Sequence, residues 1–172
     1  METLSIFGNT KYKSKLVFLK TLNINTFELL LIKKMVADIL DLIKERRNIK
    51  QFLPKFVSWE KVTRIIDAAR HAPSSGNVQN WKFIVVNEPG QKQMVAEAAY
   101  DQYEIVNAGV LIVVCAEPEK VERYYGLRGE RLYSAQNCAA AIQNMLLEAQ
   151  SLGLGTRWIG GFDEEAIKAI FK

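Results

Sequence analysis

Apolar positions recur with a helical period at three places along the chain and run without interruption at two. Val36, Ile39, Leu40 and Ile43 are spaced as one helix face, which predicts a helix over 36–47 ending in the basic run ERRNIK. Val62, Ile65, Ile66 and Ala69 repeat that spacing over 59–70, with Ser58 as the N-cap and Pro54 breaking the chain before it. Ala135, Cys138, Ala139, Ile142, Met145, Leu146 and Ala149 trace a longer stripe over 134–151, and Gly153 suits its C-cap. The uninterrupted runs, KFIVV (82–86) and GVLIVVCA (109–116), are rich in β-branched residues and predict buried strands.

Shorter signals fill the gaps. Pro73 ends the second helix and SSGN (74–77) makes a loop. Residues 90–99 predict a short helix. Residues 118–132 are charged, hold Tyr124 and Tyr125, and predict a mobile loop or short helix. TRWIGGF (156–162) predicts a short strand. Asp163 then caps a last helix, with Glu164 and Glu165 against its positive end. Helices and strands alternate irregularly, without an internal repeat, and the class expected is α+β.

Composition narrows the function classes. The 172 residues suit one domain with a sizeable core, and 49% hydrophobic with 24% charged reads as soluble and globular. The net charge of +4 is localised: residues 1–34 hold six lysines against Glu2 and Glu28. With 23 basic and 19 acidic residues in all, 17 of each remain for residues 35–172. A neutral main domain gives little support to nucleic-acid binding. No apolar run reaches the roughly 18 residues of a membrane span, and residues 1–34 lack the pattern of a secretory signal. With Met35 as a second start, residues 1–34 read as an N-terminal extension of uncertain role and 35–172 as the functional domain. Cys115 and Cys138 have neither CxxC nor zinc spacing; they read as reduced buried thiols of a cytoplasmic protein, with no metal site.

Several stretches could carry chemistry. GLGTRW (153–158) opens like a dinucleotide fingerprint, but Trp158 stands at the sixth position and a helix precedes it, so it fails that reading. His71, the lone histidine, reads as a capping or surface residue. ERRNIK (45–50) is either a basic helix end or an anion clamp, in which Arg46 and Arg47 offer forked donors, Asn48 an amide and Lys50 a charge on the same side as Asn48. PSSGN (73–77) is either a plain loop or a lining for a flat polar ligand. WIGGF (158–162) is either a turn or a backbone left bare to touch a ring.

Taken together and in this order, IKERRNIKQF (43–52), APSSGNVQNWKFIVV (72–86), NAGVLIVVCAE (107–117) and AAAIQNMLLEAQSLGLGTRWIGGFDEE (139–165) resemble the FMN-dependent nitroreductase family. The resemblance implies an α+β three-layer sandwich, its central, mainly antiparallel sheet flanked by helices, in an entwined homodimer with FMN at the subunit interface. It matches Arg46, Arg47 and Asn48 to the residues holding the phosphate and ribityl chain, and Lys50 to the cation near the pyrimidine edge. Pro73, Ser74, Ser75 and Asn77 match the loop against the flavin, contributed in part by the partner subunit. Ile159, Gly160 and Gly161 match the backbone near the ring's reactive nitrogen. The implied activity passes hydride from NADH or NADPH through the flavin to a nitroaromatic or quinone. No catalytic side chain is then expected, because the cofactor carries the chemistry. The alternatives are a catalytically silent flavin-binding or dimerising relative, and a related reductive dehalogenase. YYGLRGERLY (124–133) lies where the family varies its substrate lids.

Three departures accompany the resemblance. Asn80 stands where the family commonly has Pro, and Asn48 where it has Ser. The family also continues after the last helix into a strand whose basic residues complete the phosphate site, and this sequence ends at Lys172. Losing two charge-assisted hydrogen bonds costs about 3–6 kcal/mol, roughly a hundred- to ten-thousand-fold in affinity. Weak flavin binding is the expectation unless residues 1–34 fill the gap.

Overall fold

This computed structural model describes residues 38–172, so the first two positions of the 36–47 helix and every expectation for residues 1–34 lie outside it. The elements run α1 (Ile39–Glu45), α2 (Trp59–Arg70), β1 (Trp81–Val86), α3 (Pro89–Ala98), β2 (Leu111–Ala116), α4 (Pro118–Arg128), α5 (Ser134–Ser151) and α6 (Glu164–Ile170). The chain divides into two units, 1–39 and 40–172, and all but the first residue of α1 belongs to the second.

Two of the predicted stripes bury each other. Ile65 and Ala69 of α2 meet Cys138, Ala141, Met145 and Ala149 of α5, and Trp81 of β1 closes this core. Helix α2 starts where Ser58 predicts, in extended backbone, but the Ser58 hydroxyl makes no capping bond. The end of α5 follows the expectation for Gly153, whose φ is +71°. Its N–H donates to Gln150 O (3.0 Å), and Leu154 N–H reaches back to Ala149 O (2.9 Å). That pair of bonds satisfies the last carbonyls of the helix and turns the chain toward the glycine-rich segment.

The strands β1 and β2 pair antiparallel, from Trp81 opposite Ala116 to Val86 opposite Leu111. Side chains alternate between the two faces of such a ribbon. Phe83, Ile112 and Val114 lie on the α2–α5 core, while Leu111 packs against Ala96 and Ala99 by α3. Helices therefore cover both faces, as an α+β sandwich requires. The strands are less buried than their apolar runs predict. Trp81 and Val86 are buried, but every residue of β2 is half-buried or exposed. Among the described residues each strand has one neighbour, so each keeps an open edge.

Of the two forms expected for residues 118–132 the structure takes the helix: α4, broken at Gly126 (φ 58°, ψ −153°), is followed by a π-helical turn at Gly129–Tyr133 that runs into α5. One further expectation is corrected. The segment 156–162 is no strand: it makes one parallel bridge, Asn48 to Thr156, and the next N–H, of Trp158, goes to the Asn48 side chain instead (3.3 Å). Helix α1 is shorter than predicted, and Ile39, Leu40 and Ile43 remain exposed (65%, 50% and 49%). No described helix is long and apolar enough to cross a membrane.

Gly109 lies just before β2, where a side chain would run into the backbone oxygen of Lys55 and the Val57 methyl. Backbone cannot step aside as a flexible side chain can. Gly109→Ala is expected to cost about 1–3 kcal/mol, read as a lower urea midpoint at unchanged slope. An unchanged midpoint would mean that 55–57 yields freely.

Candidate functional site

The basic stretch after α1 separates into residues with different tasks. Arg47 turns back: its Nη1 donates to Lys44 O and to Arg46 O (3.1 Å), capping the carbonyls at the end of α1. The bland reading of this run thus holds for Arg47. Arg46 is half-buried, and its guanidinium has no partner among the described residues. Asn48 is the joint, since its backbone pairs with Thr156 and its side-chain oxygen accepts from Trp158 N–H. Ile49 N–H donates to Thr156 O (2.8 Å), and the Ile49 side chain fills the space where Gly155 lacks a Cβ. Lys50 is exposed and likewise without a bonded partner among the described residues.

The glycine segment is held from its other side. Arg157 pairs with Glu104 and donates to Gln102 Oε1 (2.7 Å). Gln102 Nε2 donates in turn to Gly161 O (3.1 Å) and Ala99 O (2.7 Å). Asp163 N–H donates to Ala98 O (2.8 Å), and the Asp163 carboxylate caps α6 as predicted, accepting from Ala166 N–H (3.0 Å). Ile159 packs beside Ala96, Ala99 and Ile105. Gly160 has open space where a Cβ would stand, and the nearest atoms to a Cβ on Gly161 belong to the Tyr100 ring at 3.9 Å. The structure therefore joins Asn48 and Ile49 to Gly155, Thr156 and Trp158, just before the stretch holding Ile159, Gly160 and Gly161, with Arg46 and Lys50 two residues either side of Asn48. This side of the site carries unpaired cations and a bare backbone.

The third segment sits on other elements. Pro73 is exposed, and Ser74 Oγ accepts from Gln79 N–H (3.1 Å). Ser75 donates through its N–H (3.0 Å) and its hydroxyl (3.2 Å) to Asn137 Oδ1 on α5. Asn137 Nδ2 donates to Asn80 Oδ1 (2.8 Å), and Asn80 Nδ2 donates to Ser134 Oγ (2.8 Å). Asn80 is 0% exposed, and its backbone oxygen also accepts from Glu117 N–H (2.7 Å). Gly76, Asn77 and Gln79 all take left-handed φ values of 52–57°, which suits Gly and Asn and strains Gln79. No hydrogen bond among the described residues joins this loop to 46–50 or 156–161.

Sequence reasoning missed Asn137, Ser134, Gln102, Glu104 and Arg157, and took Asn80 only as a substitution for Pro. One signal was available: Ser134 and Asn137 are one helical turn apart at the head of an apolar stripe. Glu104 and Arg157 lie far apart in sequence, with no local spacing to reveal them. Hydrogen bonds from its own backbone N–H and from Arg157 hold the Glu104 carboxyl below the usual carboxylate range. Burial raises both Cys115 and Cys138, which leaves the two free thiols protonated and unreactive at neutral pH. His71, at the C-terminal end of α2, is exposed and lies 3.7 Å from Asp67, the surface role expected of it.

Comparison with known proteins gives three likenesses and a family match. Residues 43–172 match the model of the nitroreductase family. A protein of Archaeoglobus fulgidus, whose name joins NADH dehydrogenase with NAD(P)H nitroreductase, is 37% identical over 136 residues, covering 78% of this chain and 75% of that protein. An FMN reductase (NADPH) of Bacillus subtilis is 27% identical over 140 residues, 75% of this chain and 56% of the relative. The crystal structure of a nitroreductase family protein from Clostridium novyi superposes with a TM-score of 0.69 at 31% identity, over 77% of this chain and 75% of the other.

Two outcomes follow from the geometry. Asn137→Ala leaves Asn80 Oδ1 and Ser75 N–H unanswered; it should lower stability by about 1–3 kcal/mol in urea and speed amide exchange at Ser75. Unchanged exchange at Ser75 would show that the loop is fixed some other way. The Glu104 contribution is present above the ordinary carboxylate pKa and lost as pH falls through its lowered value. Arg157→Gln should therefore flatten the acid side of a plot of Tm against pH.

Proposed function

The chain belongs to the nitroreductase family, and on that premise we propose that it is an FMN-dependent NAD(P)H oxidoreductase acting on nitroaromatic or quinone-type acceptors. The observation that supports this reading is the Asn48 joint, which ties the segment carrying Arg46 and Lys50, cations without a hydrogen-bond or ion-pair partner among the described residues, to the chain leading into an unobstructed glycine backbone. A phosphorylated planar ring needs that combination: charge for the phosphate, and close backbone approach for the ring. The name of the Bacillus FMN reductase supports the choice of flavin.

Arg46 would take the phosphate, since Arg47 is already engaged with the end of α1. Asn48 fixes the glycine segment and keeps its amide nitrogen available for the ribityl chain. Lys50 would place positive charge where negative charge develops on the ring. Ile159 anchors the backbone before Gly160 and Gly161, whose lack of side chains would let a flavin ring approach closely. Bound FMN would supply the two-electron transfer between nicotinamide and acceptor, which is why no acid, base or nucleophile is assigned.

A second copy of the chain completes the reading. Pro73, Ser74, Ser75 and Asn77 make no bond to the other two segments within one protomer, so a homodimer would bring them to the partner's flavin. The exposed stripe of α1, with Phe56 at 75% and Trp59 at 56%, offers apolar surface for that contact. Residues 35–172 form the functional domain in this reading, with 1–34 as an extension. Two unreactive thiols fit a cytoplasmic place.

The purified chain should be yellow or turn yellow with FMN, run as a dimer by native mass, and oxidise NAD(P)H with a nitroaromatic or quinone. Arg46→Gln should weaken FMN about 10- to 100-fold in a fluorescence titration, and Arg47→Gln much less. A colourless protein indifferent to high FMN overturns the reading.

A further inference from the structure

Beside the loop 74–77 lies a groove of about 450 Å³ that no step above uses. Gly76 and Asn77 form one wall, and α4 provides Lys120, Arg123, Tyr124 and Tyr125 along the other. The two tyrosines differ. Tyr125 is fixed: its ring stands edge-on to Tyr133 at 5.4 Å, and Tyr133 accepts from Arg128 Nε (2.9 Å) and lies under that guanidinium. A Cβ on Gly76 would fall 2.5 Å from the Tyr125 hydroxyl, so a side chain there would push this ring off the loop. Tyr124 is 69% exposed and leaves a ring face open to the groove.

The charges are unbalanced. Glu117 is shared by Lys120 (2.5 Å) and Lys82 (2.8 Å), and Glu119 also acts on Lys82, so the charge left over is that of Arg123. Arg123 has no ion-pair or hydrogen-bond partner among the described residues. Glu119 and Glu122 share α4 but do not line the groove. Forked and ammonium donors beside an open phenol ring suit a flat ring that carries a negative group.

We propose that this groove is a subsite for planar aromatic ligands bearing an anionic group, with Arg123 and Lys120 taking the charge and Tyr124 the ring. Placing it beside the flavin rests on the reading above, through Gly76 and Asn77, which belong to both groove and loop. The binding itself does not rest on it. The charge has two sources: a carboxylate on the acceptor, or the extra phosphate that distinguishes NADPH from NADH.

The experiment has a binding arm and a turnover arm. Ligand-observed NMR on the full chain without added FMN compares 4-nitrobenzoate with its neutral counterpart 4-nitrobenzamide. The benzoate should bind about three- to tenfold tighter, a modest ratio because the groove is solvated; Arg123→Gln should abolish the difference and Arg123→Lys restore part of it. Equal affinities, or a preference that survives Arg123→Gln, overturn the proposal. In turnover, a fall in the benzoate-to-benzamide kcat/KM ratio in Arg123→Gln assigns the site to the acceptor. A fall in the NADPH-to-NADH ratio assigns it to the donor. Turnover without either fall overturns the proposal alone. Charge-selective binding by a protein that never oxidises NAD(P)H overturns the flavin reading alone.

Discussion

A buried carboxamide must have all its hydrogen bonds answered, and Asn80 imposes that condition on the centre of this molecule. It is wholly removed from solvent just before β1, and three residues from two elements answer it. Asn137 and Ser134 meet its side chain from α5, and the N–H leading into α4 meets its backbone oxygen. Asn137 then passes the constraint to Ser75 and so to the loop 74–77. A network of this kind is worth having only when complete, because each orphaned group inside a low-dielectric core costs more than the bond contributed. Through these hydrogen bonds the chain reaches a defined loop.

The other half of the site is held by a different kind of force. The stretch 156–163 is pinned between the end of α1 and the turn after α3, through backbone groups answered by Asn48, Ile49, Ala98 and Gln102 and through the Arg157 side chain held by Gln102 and Glu104. Side chains here stand in for a strand partner. The arrangement leaves Gly160 open above and fixed below, so the backbone is presented without being covered. Arg47 shows how a sequence pattern can overcount a site. It matches the pattern as well as Arg46 does, yet its guanidinium is spent on helix carbonyls one turn back.

Apolar surface and the divided site point the same way. Ile39, Leu40, Ile43 and Phe56 lie exposed, while the loop 73–77 makes no hydrogen bond among the described residues to 46–50 or 156–161. On the proposed reading, docking of a second copy would cover the exposed α1 stripe and join the two parts of the site. Apolar burial would supply the driving force, and the same contact would join the loop to its partner's cations.

The sequence by itself determined what short-range chemistry can write. Helix stripes, the Gly153 cap, the Asp163 cap and the two apolar strand runs are all decided within a turn or two of chain, and they were legible. So was the family, because its motifs keep their order. The tertiary structure alone decided that Asn80 meets Asn137, that Arg157 meets Glu104, and that Asn48 takes the place of a strand partner for Trp158. It also decided that residues 118–132 are ordered against the loop and that, among the described residues, β1 and β2 keep open edges. These depend on which distant groups share a dry space, and the polarity of one residue carries no record of the partner that will answer it.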